Sequence, residues 1–309
     1  MEYIRGLKQN IALAKYTTYN IGGPADYFMI VKNPDDIKKA IRFADDNLLA
    51  VFLLAGGSNV LFSDEGFRGL VIKFDNKEIK FGGNRITAGA GIAMGDLVGR
   101  SVEKGMKGLE WAGGLPGTLG GAVRGNAGCF GGEIKDSALE VSAMTKGGEI
   151  KNYNNADCRF GYRDSVFKRN GEIILSAVLK FSPGNSEELK KEVFEHIKYR
   201  QMKHRLPSCG SVFKNCPIED LPEKVVEKFK DKIKTDPFPI MPIAVLIAAA
   251  GLAGKTIGGA QITEEHANII INFNNAKAGD ILALINLVKE KVKEKFGVEL
   301  NEEVQLAGF

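Results

Sequence analysis

The chain has 309 residues, 44% of them hydrophobic and 26% charged, and a net charge of +4. That apolar content suits a globular protein of two or three domains, and the interspersed signs argue against a basic nucleic-acid-binding tract. Its 37 glycines are about 12% of the chain against a usual ~7%, and they are clustered, which points to loop-built ligand sites rather than a fibrous repeat.

Cys129, Cys158, Cys209 and Cys216 form no CxxC pair and no metal-ligand spacing with His196, His204 or His266. Free thiols and no metal site are expected. Met1-Glu2-Tyr3-Ile4-Arg5 holds no signal-like apolar run, and the longest apolar stretch, residues 240–254, contains Pro242 and is too short to span a bilayer. A cytoplasmic protein without membrane attachment is expected.

In chain order, the first clear unit is a βαβ element. Ala25 to Val31 reads as a strand. Asn33 can cap a helix with Pro34 at its first position, Asp35 and Asp36 in its first turn, and Ile37, Ala40, Ile41 and Ala44 at helical spacing. Ala50 to Leu54 reads as a short buried strand. It runs into Ala55-Gly56-Gly57-Ser58-Asn59-Val60-Leu61, where a glycine pair and two polar side chains can wrap a diphosphate or simply form a turn. Short strands follow at 70–74, 79–81 and 85–88, then a helix at 92–103.

Residues 113–128 are the most informative stretch, with seven glycines in sixteen residues, Pro116 among them, and Leu115, Leu119, Ala122 and Val123 interleaved. Glycine tolerates positive φ and lets other groups approach the backbone, so a buried cradle for an anionic cofactor is favoured over a pair of turns. Strands are expected at 138–145, 148–153 and 173–181. Pro183-Gly184-Asn185 marks a domain boundary, and Ser186 caps a helix with Leu189, Val193 and Ile197 on one face. A strand at 207–215, a short helix plus loop within 218–239, a buried helix at 242–252, a strand at 267–272 and an amphipathic helix at 280–296 complete the reading. Gly254-Lys255-Thr256 is not a P-loop, because Ala249 stands where that motif needs glycine.

The pattern resembles the UDP-N-acetylenolpyruvoylglucosamine reductase (MurB) family of bacterial cell-wall synthesis. The matching residues run in family order over nearly the whole chain. They are Thr18 to Ala25, residues 55–61, Gly114 to Ala122 with Asn126-Ala127-Gly128, and Phe160 to Phe167. Gly210 to Asn215, Gly258 to Gln261 with His266, Asn268 and Asn272, and Phe296 to Leu300 with Glu303-Val304 continue the match. The chain looks like the shorter subclass, without the segment that carries a substrate-capping tyrosine.

The resemblance implies an α+β fold. A two-lobed FAD-binding domain of the vanillyl-alcohol-oxidase (PCMH) type would span 1–183, with lobes of about 1–75 and 76–183, and an α+β substrate-binding domain would span 184–309. It implies NADPH-dependent, FAD-mediated reduction of UDP-N-acetylglucosamine enolpyruvate to UDP-N-acetylmuramate, with another flavin-dependent oxidoreductase on the same scaffold as the alternative. FAD is expected to be bound non-covalently, since no histidine precedes His196. The partners would be a UDP-sugar substrate and NADPH, with no nucleic acid, and the protein a monomer or weak oligomer.

Residue by residue, the resemblance places Arg163 on the substrate carboxylate, Ser211 as the proton donor and Glu303 as the residue that polarises the enol. It assigns Gly56, Gly57, Ser58, Asn59, Val60, Gly114, Pro116, Gly117, Thr118, Gly121, Ala122, Asn126 and Gly128 to FAD. Lys203, Lys214, Asn215, Gln261 and His266 are its substrate-side candidates, His266 being equally readable as a structural histidine. The segment 203–207 is shorter than the family pattern, the insert 218–241 is longer, and Gln305 replaces a frequent arginine.

Overall fold

A computed structural model describes residues 6–203, 206–235 and 238–309. The N-terminal reading at Met1–Arg5 and parts of the 203–207 and 218–241 segments lie outside the described residues. The chain forms two compact units, neither of them continuous in sequence: residues 1–11, 25–56 and 68–202, and residues 12–24, 57–67 and 203–309.

The first unit contains two sheets. One has the strand order Lys8–Ala12, Pro24–Val31, Phe67–Phe74, Ala50–Leu54, the last two running parallel. The other is antiparallel, in the order Ile150–Asn154, Ala138–Met144, Ile173–Lys180, Arg85–Gly89, Ile79–Gly82. One apolar core joins them, with Ile37, Ile72, Ile86, Val141 and Leu179 all at 0% exposure. The Pro34–Asp46 helix forms as its sequence dictates. Asn33 Oδ1 accepts from the Asp36 amide, Pro34 needs no donor partner in the first turn, and Ile37, Ala40, Phe43 and Ala44 are buried.

Three details differ from expectation. Ala50–Leu54 is the edge strand of its sheet, so Val51 and Leu53 stay 40% and 38% exposed rather than buried. The helix Ser186–Lys203 is capped by Asn185, whose Oδ1 accepts from the amides of Glu187 and Glu188; Ser186 instead reaches toward the Glu103 carbonyl. The compact units also cut the chain at different places from the contiguous division at 183 and 184. Ser182–Pro183 pairs with Met106–Lys107 and the Gly184 amide donates to Gly105, so this Pro-Gly pair ends a strand and the helix after it belongs to the first unit.

In the second unit Thr256–Ile257, Ala260–Ile262 and Ile270–Asn272 form an antiparallel sheet. The Ala278–Phe296 helix buries Ile281, Leu284, Ile285, Val288 and Val292 in a core shared with the Ile243–Ala249 helix. That long helix ends at Gly297, whose φ of +68° is the left-handed conformation that suits glycine. Gln305–Ala307 pairs in parallel with Val60–Phe62, which explains why residues 57–67 belong here. The expected strand at 207–215 is not continuous. Its bridges alternate between partners, Ser211 to Ile269 and Phe213 to Glu302. No helix among the described residues is long and apolar enough to cross a membrane.

The long helix starts on carboxylates. Asp64 accepts from the amides of Ala278 and Gly279, while Asp280 accepts from those of Gly259 and Lys277. These backbone donors, first Gly259 and then Lys277, hold the Asp280 pKa below its ordinary value of 3.8. The stabilisation is therefore complete above about pH 4 and fades as the pH falls through the depressed folded value. Asp280→Ala is expected to cost about 1 kcal/mol at pH 7, and its deficit against the parent to shrink by pH 3. Urea unfolding at the two pH values checks this.

Candidate active site

The two glycine stretches meet inside the first unit. A Cβ on Gly56 would lie 2.4 Å from the Gly117 Cα, so backbone rests on backbone with no room for a side chain. Gly117 has φ +99°, a conformation side-chain-bearing residues rarely adopt. The Gly117 carbonyl accepts from Met94, the Leu119 amide donates to Ile92, and the Gly120 amide donates to Ala90. These bonds set residues 117–120 against 90–94. The chain then enters a short helix, Leu119–Arg124, in which Ala122 is buried and a Cβ on Gly121 would meet only Ala55, at 3.5 Å. Thr118 is 9% exposed and its hydroxyl is buried without a protein partner.

The structure divides the other expected cofactor residues by what occupies them. Gly114 faces the Ser186–Lys203 helix, where a Cβ would come 3.2 Å from the Ile197 Cα, so its missing side chain serves helix packing. Asn126, fully buried with φ +41°, donates to the Gly161 carbonyl and accepts from the Lys135 amide. Its amide group therefore holds the loop that carries Arg163. Gly128 allows close passage of Glu133 and offers its carbonyl to the Arg163 Nη2 at 2.8 Å.

Arg163 sits at the tip of a tight turn, closed by reciprocal bonds between Gly161 and Asp164. Its φ of +53° is uncommon for arginine, and backbone in that region persists only where the surroundings enforce it. They do so here. Asn126 holds Gly161, the Ser165 hydroxyl donates to the Arg124 carbonyl, Lys168 donates to the Arg163 carbonyl, and Tyr162 packs beside the guanidinium at 5.1 Å.

Ser211 and Glu303 come together in the second unit. The Val212 carbonyl accepts from the amides of Glu303 and Val304, at 2.7 and 3.3 Å, placing Glu303 beside the Val212–Phe213 peptide, one residue on from Ser211. Asn59 joins them, its Nδ2 donating to the Glu303 carbonyl while its own carbonyl accepts from Gln305. Val60 pairs with Gln305 in the same ladder. Glu302 is committed elsewhere, its carboxylate 2.7 Å from the Lys289 ammonium.

Gly57, with φ +67°, lets the chain pass the Tyr16 carbonyl, and the Thr18 amide donates to the Gly57 carbonyl. The Thr18 hydroxyl is a second buried donor without a protein partner, and Ser58, which follows Gly57, is half-buried. Behind Ser211, burial and then the neighbouring Cys209 push the Tyr19 pKa well up, while burial pushes the Cys209 thiol up to about 12. Both are neutral at physiological pH. Among the described residues all four cysteines are free.

On the substrate side, Lys203 lies 3.5 Å from the Glu265 carbonyl, and His266 is a buried imidazole whose Nδ1 has no protein partner. Burial, then the charges of Lys203 and Lys234, lower the His266 pKa, so it is a neutral group near two ammoniums rather than a satisfied structural histidine. The side chains of Asn215 and Gln261 are used internally, Asn215 accepting from the Ile243 amide and Gln261 donating to Gly254. Lys214 holds Asn301 through its backbone amide and remains half-buried.

Reading the sequence for chemistry passed over Asn268. It is 2% exposed and bonds both the amide and the carbonyl of Phe213, fixing the segment that carries Ser211. Its place beside His266 in a matched motif was the available signal.

Comparison with known proteins decides the family. Residues 25–154 match the FAD binding domain model, and residues 200–307 match that of the UDP-N-acetylenolpyruvoylglucosamine reductase C-terminal domain. The UDP-N-acetylenolpyruvoylglucosamine reductase of Lactobacillus helveticus is 36% identical, over 98% of this chain and 95% of its own length. The chain belongs to the UDP-N-acetylenolpyruvoylglucosamine reductase family. Another family member, from Lachnoclostridium phytofermentans, is 38% identical over 97% of this chain and 92% of its own. The crystal structure of the Thermus caldophilus reductase (MurB) aligns with a TM-score of 0.77 at 29% identity, covering 97% of this chain and 99% of that one. The fold is thus α+β with a PCMH-type FAD-binding part, as the resemblance implied.

The residues present fit FAD. Beside the Gly56–Gly117 backbone contact a Cβ on Gly121 would meet only Ala55, at 3.5 Å, so that face is open, and the buried Thr118 hydroxyl is a polar group that a ligand atom can satisfy. Gly56→Ala is expected to lose most of the bound flavin with its far-ultraviolet dichroism unchanged, whereas Arg163→Ala keeps its flavin. Flavin absorbance per polypeptide after gel filtration separates the two.

Proposed function

We propose that this chain reduces the enolpyruvyl ether of UDP-N-acetylglucosamine to the lactyl ether of UDP-N-acetylmuramate, with NADPH as donor and FAD as carrier. Family membership supports the reaction. The observation that supports the residue roles is the Val212 carbonyl, on the residue next to Ser211, which accepts from the amides of Glu303 and Val304. The first unit would hold most of the cofactor and the second would bind substrate. The substrate diphosphate, an anion, is assigned to Lys203, Lys214 and the neutral His266. Asn215 and Gln261 are assigned supporting roles, because their amides already serve the backbone.

Saturating the enolpyruvyl double bond takes one hydride and one proton. The chemistry that FAD supplies when bound is the hydride, taken from NADPH and passed to the methylene carbon. Charge then develops as an enolate beside the substrate carboxylate. Arg163, its turn held by Asn126, Ser165 and Lys168, offers a planar fork that pairs with a carboxylate and balances that charge. Ser211 supplies the proton to the carbon bearing the ether oxygen. Serine is a weak acid in water, but an enolate is a strong base. Glu303, held on the Val212 carbonyl, polarises the enol. We further propose a cytoplasmic monomer or weak oligomer, a reading that rests on the sequence features given above.

Ser211→Ala is expected to reduce its flavin with NADPH at nearly the parent rate, because that step needs no proton from Ser211. Reoxidation by the enolpyruvyl substrate is expected to slow by ~10²–10⁴-fold. Stopped-flow flavin absorbance follows each half-reaction. Equal slowing of both steps assigns Ser211 a structural role instead.

A further inference from the structure

The Ser186–Lys203 helix lies directly on the start of the glycine stretch. A Cβ on Gly113 would come 2.7 Å from the Val193 carbonyl, and one on Gly114 would come 3.1 Å from the Arg200 Cδ. From this helix the Arg200 guanidinium reaches both ends of the stretch. Its Nε donates to the Gly113 carbonyl at 2.9 Å and its Nη2 donates to the sulfur of Cys129, the residue just beyond Gly128. The thiol uses both of its hydrogen-bonding capacities, since it also donates to the Trp111 carbonyl at 3.3 Å. Burial raises the Cys129 pKa even though Arg200 and Arg163 pull it down, which keeps the sulfur protonated for this arrangement.

A second contact runs one helical turn earlier. His196 Nδ1 lies 3.0 Å from the Glu110 carbonyl, which only an N–H can satisfy, and its ring stacks on Phe130 at 4.1 Å and 8°. Phe130 is 43% exposed and has φ +52°, an unfavourable backbone state for an aromatic residue. The Arg200 guanidinium packs over the same ring at 5.4 Å. Helix, aromatic ring and thiol thus form one clasp, and Gly128, next to Cys129, is the residue whose carbonyl orients Arg163.

We infer that Arg200 is a positioning residue for the cofactor loop, tying its two ends together and, through Cys129 and Gly128, aiming Arg163. The inference rests on reading residues 114–128 as the FAD loop. A glycine-rich loop has unusually large backbone entropy to lose when it orders on a ligand. Fixing both ends beforehand removes part of that loss from the binding step. The Ser186–Lys203 helix therefore acts on the cofactor without needing to touch it.

The test is FAD titration of the flavin-free apoprotein, read by quenching of flavin fluorescence, with the visible dichroism of the bound flavin as a second signal. Arg200→Ala is expected to weaken FAD binding about tenfold or more, the scale of one lost charged hydrogen bond, and to alter the flavin dichroism. Arg200→Lys is expected to recover part of the loss, because one ammonium can hold Gly113 or Cys129 but not span both. Cys129→Ser, which keeps donor and acceptor, is expected to bind within about threefold of the parent, and Cys129→Ala to bind more weakly than Cys129→Ser. Lys198→Ala, on the exposed side of the same helix, is the control and is expected to bind as the parent does.

A purely structural role predicts a lower apoprotein melting temperature with FAD affinity unchanged below it, and that outcome overturns the proposal. So does parent-like affinity in both Arg200→Ala and Cys129→Ala. Should Arg200→Ala fail to fold, Arg200→Lys and Cys129→Ala decide alone. Gly56→Ala distinguishes the two levels of the argument. If it loses FAD while the Arg200 variants bind normally, the clasp is wrong and the loop reading stands; if it also binds normally, the loop reading itself is wrong.

Discussion

Everything in the first unit turns on one contact between two backbones. Gly56 ends a strand of one sheet, and Gly117 is bonded to the segment that leaves the other. At the 2.4 Å separation that a Cβ would have from the facing Cα, no side chain fits. The segments that leave the two sheets therefore pack at backbone distance. The long apolar core beneath supplies the stability that such a loop cannot supply for itself, since glycine brings little burial and much entropy. Several of the chain's positive-φ residues fall on or beside the same loop, at Gly117, Asn126, Phe130 and Arg163.

The second unit solves a related problem with side chains. Its critical segment, Gly210 to Asn215, lacks a continuous strand neighbour, so its peptide groups would be left without partners by sheet pairing alone. Asn268 supplies two of the missing bonds, and the extended residues after Leu300 supply others. A segment held from two sides by different partners is constrained in register by both. This arrangement keeps Ser211 and Glu303 together and leaves Glu302 to pair with Lys289 on the opposite side.

Local structure was legible in the sequence wherever one face was buried. The Pro34–Asp46 and Ala278–Phe296 helices carry caps and apolar spacing that leave little choice. What could not be read was anything set by partners distant in the chain. The Pro183-Gly184 pair has the chemistry of a linker, yet a two-residue strand pairing makes it part of the first unit. Residues 57–67 look continuous with the preceding strand, yet pairing with Gln305–Ala307 assigns them elsewhere. The site shows the same division. The resemblance named the glycine stretches, Arg163, Ser211, Glu303 and Asn126, and included Asn268 without a role, while what Asn126, Asn268 and Arg200 hold in place is set by hydrogen bonds to residues distant in the chain.

The parallel pairing of Val60–Phe62 with Gln305–Ala307 has a consequence in time. During synthesis Val60 leaves the ribosome long before Gln305 exists, an interval on the order of tens of seconds at ordinary elongation rates. Leu61 and Phe62, both 0% exposed in the finished protein, lack their strand partner throughout that wait. The first unit's segments are complete by Met202, so its sheets can assemble while residues 12–24 and 57–67 remain as two unfinished excursions from it. The second unit can close only when its last strand arrives. Shielding those excursions from aggregation is thus a demand that the interrupted chain order places on the cell, one that a pair of contiguous domains would not make.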